Sequence, residues 1–259
     1  MKINVLGSGY MGKQICSLFV ALGHSVNLWQ NTDEKLDHIL KAEIQKLNKY
    51  FDFKNNGTFS VTNDISSLEE NLTIETVKED LKVKKEIISK LKFENNIFSN
   101  TSSLKLSEIG ENINGFHFMN PITIPLVELC KKGKYSEDLL RELLDSLIKQ
   151  SYEIINVTDK PGFIVNSIIF KEISYFFYLC EIEKKSISDL KKIYKILLKN
   201  SDPIKIVNMI GIDTSLSILE NLKKYDKNIY VPNILKESVK NNVLGFKNKK
   251  LLKIFIFNS

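Results

Sequence analysis

A glycine-rich turn near the start of the chain constrains the fold more than any other feature. The turn, Gly7-Ser8-Gly9-Tyr10-Met11-Gly12, follows a short β-rich run and leads into a segment with helical periodicity that stops at Gly23. Gly7 allows a tight turn, Gly9 lets a ligand approach the backbone, and Gly12 lets the helix pack on the strand. The first turn of such a helix offers N–H groups to anionic phosphates. The pattern predicts a dinucleotide-binding unit, and a simple glycine turn is the alternative.

Strand-like and helix-like segments alternate through residues 1–160. Strands are predicted at Lys2–Leu6, Ser25–Trp29, Phe59–Thr62, Leu72–Val77, Asn96–Ser99, Gly115–Phe118, Val127–Leu129 and Tyr152–Val157. Helices are predicted at Tyr10–Leu22, Asp33–Phe51, Asp80–Leu91 and Ser136–Gln150. Strands spaced by helices indicate an α/β fold with a parallel, doubly wound sheet of the Rossmann type. We therefore expect residues 1–160 to form a dinucleotide-binding domain.

The pattern changes at Pro161-Gly162, a step that is typical of a domain boundary. Helices are predicted beyond it at Phe163–Glu183, Ile187–Lys199, Ile204–Lys224 and Val231–Asn241, with one further strand at Lys253–Phe257. Residues 161–259 are therefore expected to form a smaller all-α domain.

Composition argues against several classes of protein. The net charge is +6, but the Lys residues are interspersed with Glu and Asp, which favours a solvated surface over a nucleic-acid interface. The three Cys have neither disulfide-like nor metal-like spacing, so we expect reduced thiols, no metal and a cytoplasmic location. The most apolar stretch, Phe163–Cys180, contains Asn166, Lys171 and Glu172 and is too polar for a membrane span.

His117 is the best candidate for an acid–base group. It lies in Phe116-His117-Phe118 at a predicted strand end, and Asn120 and Glu128 follow. His titrates near neutrality and suits proton transfer to or from a hydroxyl during hydride transfer. Glu128 lies in an apolar run, where a carboxylate needs a partner such as an imidazolium. A buried structural His is the alternative, and we expect a structural role for His24 and a solvent-facing position for His38.

Gln30 stands at the end of the second strand, where a carboxylate usually binds the ribose hydroxyls of NAD. An amide can donate and accept hydrogen bonds but neither strongly repels nor attracts a 2′-phosphate. We expect NAD as the cofactor because no Arg is nearby, with NADP as the open alternative. A merely polar strand-end role for Gln30 is the other interpretation.

Together these segments resemble the L-3-hydroxyacyl-CoA dehydrogenase family, roughly from Met1 to Ser215. The shared motifs are the glycine turn, Glu79–Lys84, Ser99–Leu104, His117–Pro121, Pro161–Asn166 and Pro203–Asp213. The resemblance implies oxidation of a short-chain (S)-3-hydroxyacyl-CoA to its 3-ketoacyl-CoA, or the reverse, by hydride transfer with NAD(H). It also implies a homodimer made through the helical domain, consistent with the aromatic helix Phe163–Glu183.

The resemblance also implies residue roles. His117 would act as base or acid, Glu128 would orient and stabilise its ring, and Ser102 and Asn166 would bind substrate oxygens. Asn120 would hold the substrate or the nicotinamide end. The cofactor site would include Thr76, Glu79 and Lys84 besides Gly7, Gly9, Tyr10, Met11, Gly12 and Gln30. Taken alone, Ser102 could be a helix cap, and Glu79 and Lys84 could form a surface ion pair.

The chain also departs from the family pattern. Gln30 replaces an Asp, Ser167 stands where Arg is common, and the segment between Asp33 and Thr62 is shorter than the helical hairpin that binds CoA. The loop before His117 is trimmed and residues 247–259 are diverged. A dehydrogenase of another 3-hydroxy acid or a carrier-bound acyl thioester, and a catalytically silent family member, therefore remain open alternatives.

Overall fold

The computed structural model describes residues 1–51, 57–197 and 202–252. The chain divides into two compact units, Met1–Phe163 and Ile164–Ser259. The strand predicted at Lys253–Phe257 and the last residues of the helix predicted to end at Lys199 lie outside the described residues.

The first unit is built on an eight-stranded sheet in the order β3-β2-β1-β4-β5-β6-β7-β8. Its strands are β1 (Lys2–Leu6), β2 (Ser25–Trp29), β3 (Thr58–Thr62), β4 (Leu72–Glu75), β5 (Ile97–Ser99), β6 (Ile113–Phe118), β7 (Leu126–Cys130) and β8 (Glu153–Asn156). Its helices are α1 (Tyr10–Ala21), α2 (Asp37–Leu47), α3 (Leu81–Ile88), α4 (Leu106–Ile109) and α5 (Glu137–Ile148). Strand order reverses between β1 and β4, and ligands bind at such reversals in doubly wound sheets. The predicted fold class is confirmed.

The prediction of a wholly parallel sheet is wrong at one edge. β7 runs antiparallel to β6, and β8 pairs with β7 in parallel. A parallel crossover needs a dozen or more residues, and the connection from β6 to β7, residues 119–125, is too short. We call this connection the return turn. Its shortness makes β7 fold straight back, so that Glu128 pairs in register with His117.

The second helix is also shorter than predicted. It begins at Asp37 instead of Asp33 because side chains bind the backbone of the preceding residues. The Gln30 amide donates to the Glu34 carbonyl at 3.0 Å, and the Asn63 amide donates to the Thr32 carbonyl at 2.8 Å. The predicted apolar side is buried at Leu36, Leu40, Ile44 and Leu47, whereas Ile39 is only half-buried.

The described part of the second unit is helical. It contains α6 (Val165–Glu181), α7 (Ile187–Leu197), α8 (Pro203–Ile210), α9 (Ile212–Lys223) and α10 (Asn233–Lys240), besides an isolated bridge between Gly245 and Lys250. The single helix predicted at Ile204–Lys224 is wrong. Gly211 has a φ of 103°, which a helix cannot contain, and it separates α8 from α9. No helix in the ranges described reaches the length and apolarity that crossing a membrane requires.

Candidate active site

His117 and Glu128 form a buried pair on the neighbouring strands β6 and β7. Nδ1 of His117 lies 2.8 Å from Oε2 of Glu128. His117 is 6% exposed and Glu128 is fully buried. The ring of Phe163 lies 5.9 Å from the imidazole, centroid to centroid. A buried carboxylate bonded to one ring nitrogen fixes the orientation of the imidazole.

The glycine turn has the geometry that a dinucleotide requires. Gly7 has a φ of 106°, and a Cβ on Gly12 would lie 1.9 Å from the Gly7 carbonyl oxygen, so neither position tolerates a side chain. The Thr76 hydroxyl donates to the Leu6 carbonyl at 2.9 Å and lies beside the turn. A Cβ on Gly9 would meet nothing within 4 Å. The space in front of Gly9, at the start of α1, is open to a phosphate.

Gln30 presents a buried hydrogen-bond acceptor beside this turn. Gln30 is 3% exposed. It lies next to the glycine turn because the carbonyl of the preceding residue, Trp29, accepts from the Gly7 amide at 2.9 Å. The Gln30 amide nitrogen is used by the Glu34 carbonyl, whereas its Oε1 has no hydrogen-bond partner among the described residues. An unpaired buried acceptor costs about 1–3 kcal/mol. A ribose hydroxyl that donates to Oε1 would remove this cost, so Gln30 fits an adenosine ribose.

A buried ion-pair network joins α3 to the end of β4. Nζ of Lys84 lies 2.8 Å from Oε1 of Glu75 and 3.3 Å from Oε2 of Glu79. Lys84 is 1% exposed and Glu75 fully buried, so the interpretation of Glu79 and Lys84 as a surface ion pair is wrong. Burial acts to lower the pKa of Lys84, but the carboxylates of Glu75 and Glu79 outweigh it and raise that pKa. Lys84 is therefore held as a cation.

Glu79 holds the turn that contains Ser102. Its Oε1 accepts from the Thr101 hydroxyl at 2.7 Å and from the Ser102 and Ser103 amides at 2.8 Å each. The Ser102 hydroxyl also lies 3.2 Å from this oxygen. Burial acts to raise the pKa of Glu79, but Lys84 and these hydrogen bonds lower it overall. The helix-cap interpretation of Ser102 is wrong, since Lys105 is the N-cap of α4.

Two further predicted site residues lie in different elements. Asn120 lies in the return turn, three residues beyond His117, and its side chain is exposed. The peptide bond from Asn120 to Pro121 is cis. Asn166 is 9% exposed in the first turn of α6, within the helical unit. Its role in binding a substrate oxygen stays a prediction. In the described ranges no group of three or more His, Cys, Asp or Glu is arranged to hold a metal ion.

The other two histidines lie away from this pair. His24 is buried, and its Nε2 lies 3.0 Å from the Ser146 hydroxyl. Burial, and next the Met1 ammonium, lower the pKa of His24 to about 4, although Glu142 acts in the opposite direction. His38 is exposed at the start of α2.

Three polar residues of this unit escaped the sequence analysis. Glu75 ends β4 and accepts from Lys84 and from the Ser99 hydroxyl at 2.5 Å. Asn100 accepts from the Phe118 amide at 2.8 Å, next to His117. Gln14 bonds both to Tyr10 and to the return turn. Only Glu75 could have been found, as a carboxylate that ends an apolar strand.

Related sequences cover most of this chain. The family described as "3-hydroxyacyl-CoA dehydrogenase, NAD binding domain" matches residues 2–160. The mitochondrial hydroxyacyl-coenzyme A dehydrogenase of Homo sapiens is 29% identical over 252 residues, covering 86% of this chain and 80% of its own length. A 3-hydroxybutyryl-CoA dehydrogenase of Clostridioides difficile is 28% identical over 276 residues, covering 96% of this chain and 97% of its own.

Solved structures show the same fold. The (S)-3-hydroxybutyryl-CoA dehydrogenase from Ralstonia eutropha superposes with a TM-score of 0.75 at 22% identity, covering 97% of each chain. FadB2 from M. tuberculosis gives a TM-score of 0.79 at 20% identity, also with 97% of each chain covered. The likeness extends over both compact units.

Proposed function

Because this chain belongs to the 3-hydroxyacyl-CoA dehydrogenase family and is an NAD-dependent oxidoreductase, we propose that it interconverts a short-chain (S)-3-hydroxyacyl-CoA and its 3-ketoacyl-CoA. The observation that carries the proposal is the buried His117–Glu128 pair on adjacent strands of a dinucleotide-binding sheet. A short acyl chain is favoured because the C. difficile relative, a 3-hydroxybutyryl-CoA dehydrogenase by name, aligns over 97% of its length.

His117 moves the proton in this proposal. NAD, when bound, would supply the hydride chemistry at the carbon that carries the hydroxyl or keto group. Since Glu128 engages Nδ1 of the ring, Nε2 of His117 takes the hydroxyl proton in oxidation and gives it back in reduction. Glu128 sets the ring orientation and stabilises the imidazolium in between. Ser102 and Asn166 bind the substrate oxygens, and Asn120 holds the substrate or the nicotinamide end.

The residues around the glycine turn would hold NAD. Gly7, Gly9 and Gly12 leave room for the pyrophosphate, with Tyr10 and Met11 beside it, and the Gln30 oxygen accepts from the ribose. Thr76, Glu79 and Lys84 support the neighbouring strand end. NADH is favoured over NADPH because no Arg stands near Gln30, although the missing carboxylate weakens the discrimination.

The helical unit carries a surface suited to a homodimer. Four large apolar side chains of α6 and its two cap residues are exposed, and their spacing of four and seven residues aligns them along one side of the helix. These residues, here called the apolar stripe, are Ile164, Ile168, Tyr175 and Ile182, which are 47%, 63%, 59% and 53% exposed. Water-exposed apolar rows of this kind mark protein interfaces.

A cytoplasmic location is proposed from the cysteines. Cys16, Cys130 and Cys180 are buried free thiols. Burial raises the pKa of Cys16 to about 12 and those of Cys130 and Cys180 to about 11, so none is a reactive thiolate near neutral pH. Buried thiols that stay reduced suit a reducing compartment.

Activity with acetoacetyl-CoA and NADH tests the function. Wild-type protein should oxidise NADH in proportion to substrate consumed, and His117→Ala should lower turnover by about a hundred- to ten-thousand-fold while leaving NADH binding nearly intact. His38→Ala, which changes an exposed His, is the matched control and should retain full turnover. Full turnover by His117→Ala would refute the acid–base role, and an inactive wild-type protein would favour a catalytically silent family member.

A further inference from the structure

Gln14 is a buried amide with two partners in distant parts of the sequence. It lies in the second turn of α1 and is 6% exposed. Its Nε2 donates to the Tyr10 hydroxyl at 3.0 Å, four residues earlier on the same side of the helix. Its Oε1 accepts from the Ile122 amide at 3.1 Å. A buried amide is costly unless it is hydrogen-bonded, and both ends of this one are engaged.

The backbone of Ile122 anchors the return turn through hydrogen bonds at both its amide and its carbonyl. Pro121 has no N–H, so Ile122 provides the first amide after Asn120 that a neighbouring side chain can hold. The Ile122 carbonyl accepts from the Tyr152 hydroxyl at 2.5 Å. Ile122 is 1% exposed and is thus fixed from both sides, by Gln14 at its amide and by Tyr152 at its carbonyl.

We propose that Gln14 is a positioning residue that joins the glycine-turn helix to the return turn and thereby sets the position of Asn120. Tyr10 lies in the glycine turn and is 59% exposed, so the same amide also fixes the hydroxyl of a side chain on the cofactor side. Gln14 therefore links the glycine turn and the return turn through hydrogen bonds to both. A shift of about 1 Å in a positioned group can cost about a hundredfold in rate.

Hydrogen exchange in the protein without cofactor tests the link directly. In Gln14→Met, which keeps the volume but loses the acceptor, the Ile122 amide should exchange at least about ten times faster than in wild type. Gln14→Glu keeps an acceptor for Ile122 and should retain protection. Tyr10→Phe leaves the Gln14–Ile122 bond in place and is the matched control. Unchanged exchange at Ile122 in Gln14→Met would overturn the inference.

Turnover tests whether this link positions Asn120, a step that rests on the proposed function. With acetoacetyl-CoA and saturating NADH, kcat of Gln14→Met should fall about tenfold or more, and Gln14→Glu should recover it. An unchanged kcat, or no recovery, overturns the positioning role. If Gln14→Met does not fold, Gln14→Asn keeps the amide but makes it too short to reach Ile122, and it should lower kcat in the same way; full kcat in that variant also overturns the role. An inactive wild-type protein refutes the proposed function but leaves the exchange result decisive for the link.

Discussion

His24 makes the stability of the sheet unit depend on pH in a predictable direction. Burial and then the Met1 ammonium lower its pKa from 6.5 to about 4. Between these two values the folded protein binds fewer protons than the unfolded chain. The stabilisation is therefore fully present above about pH 6.5 and is lost as the pH falls towards 4. Replacement of His24 by Gln, which does not titrate in this range, should remove that part of the pH dependence.

The magnitude follows from the same two pKa values. One pKa unit corresponds to about 1.4 kcal/mol, so complete passage through the window costs about 3 kcal/mol. Between pH 7 and pH 4.5 the linkage relation gives about 2.5 kcal/mol for this group alone. Marginal stabilities of about 5–15 kcal/mol make such a loss readily measurable.

Urea unfolding at pH 7, 5.5 and 4.5 provides the assay. Trp29 is the only Trp of the chain and lies in β2, so its fluorescence reports on the unit that contains His24. The fall in unfolding free energy should be about 2.5 kcal/mol smaller in His24→Gln than in wild type. His38→Gln changes an exposed His and should follow the wild type. Equal pH dependence in wild type and His24→Gln would refute the reasoning.

Four further outcomes are expected. Glu128→Gln should lower kcat about ten- to a hundredfold, less than His117→Ala, with NADH affinity by fluorescence titration unchanged; an unaltered kcat would contradict the orienting role. Gln30→Asp should strengthen the preference for NADH over NADPH in kcat/KM, whereas a strong NADPH preference of the wild type would contradict the cofactor proposal. Light scattering should give twice the chain mass for wild type and a smaller mass for Ile168→Lys; a strictly monomeric wild type removes the dimer. With the acetoacetyl-pantetheine fragment, kcat/KM should fall much less than a thousandfold relative to acetoacetyl-CoA, because the chain between Asp33 and Thr62 is shorter than the hairpin with which the family binds CoA. A thousandfold fall, equivalent to about four kcal/mol, would show full recognition of CoA.

The CoA prediction depends partly on the cations of α2, which is shorter than the helix predicted at Asp33–Phe51. Lys35, Lys41, Lys46 and Lys49 are all exposed and available to phosphates. Only Lys41 and Lys46 lie within α2, since the helix spans Asp37–Leu47, and Lys46 lies 3.9 Å from Glu43. The helix therefore presents fewer cations than the longer predicted one.

Local patterns were enough to predict most of the fold. Helical periodicity and β-rich runs depend on neighbouring residues, so the order of strands and helices could be read from the sequence. The antiparallel return of β7 was not predicted, although the connection of residues 119–125 is too short for a parallel crossover. The break at Gly211 was not predicted, because a glycine inside a helical pattern reveals its positive φ only when the packing around it is known.

Contacts between distant residues explain what the sequence could not predict in the site. Gln14 is 108 residues from Ile122, and neither carries a pattern that points to the other. The same holds for Asn100, whose oxygen accepts from the Phe118 amide. His117 and Glu128 were different, because a lone carboxylate in an apolar strand requires a partner and a His stood on the preceding strand.

The return turn determines both the pairing of His117 with Glu128 and the position of Asn120. Its shortness forces β7 to run back along β6, and in an antiparallel pair two directly opposed residues project their side chains from the same face. His117 and Glu128 occupy such a pair, so strand register alone brings the carboxylate to the imidazole. The same turn carries Asn120 and is held by Gln14 at Ile122. Insertions that lengthen the return turn, or substitutions within it that loosen it, should therefore disturb the His117–Glu128 pair and Asn120 together.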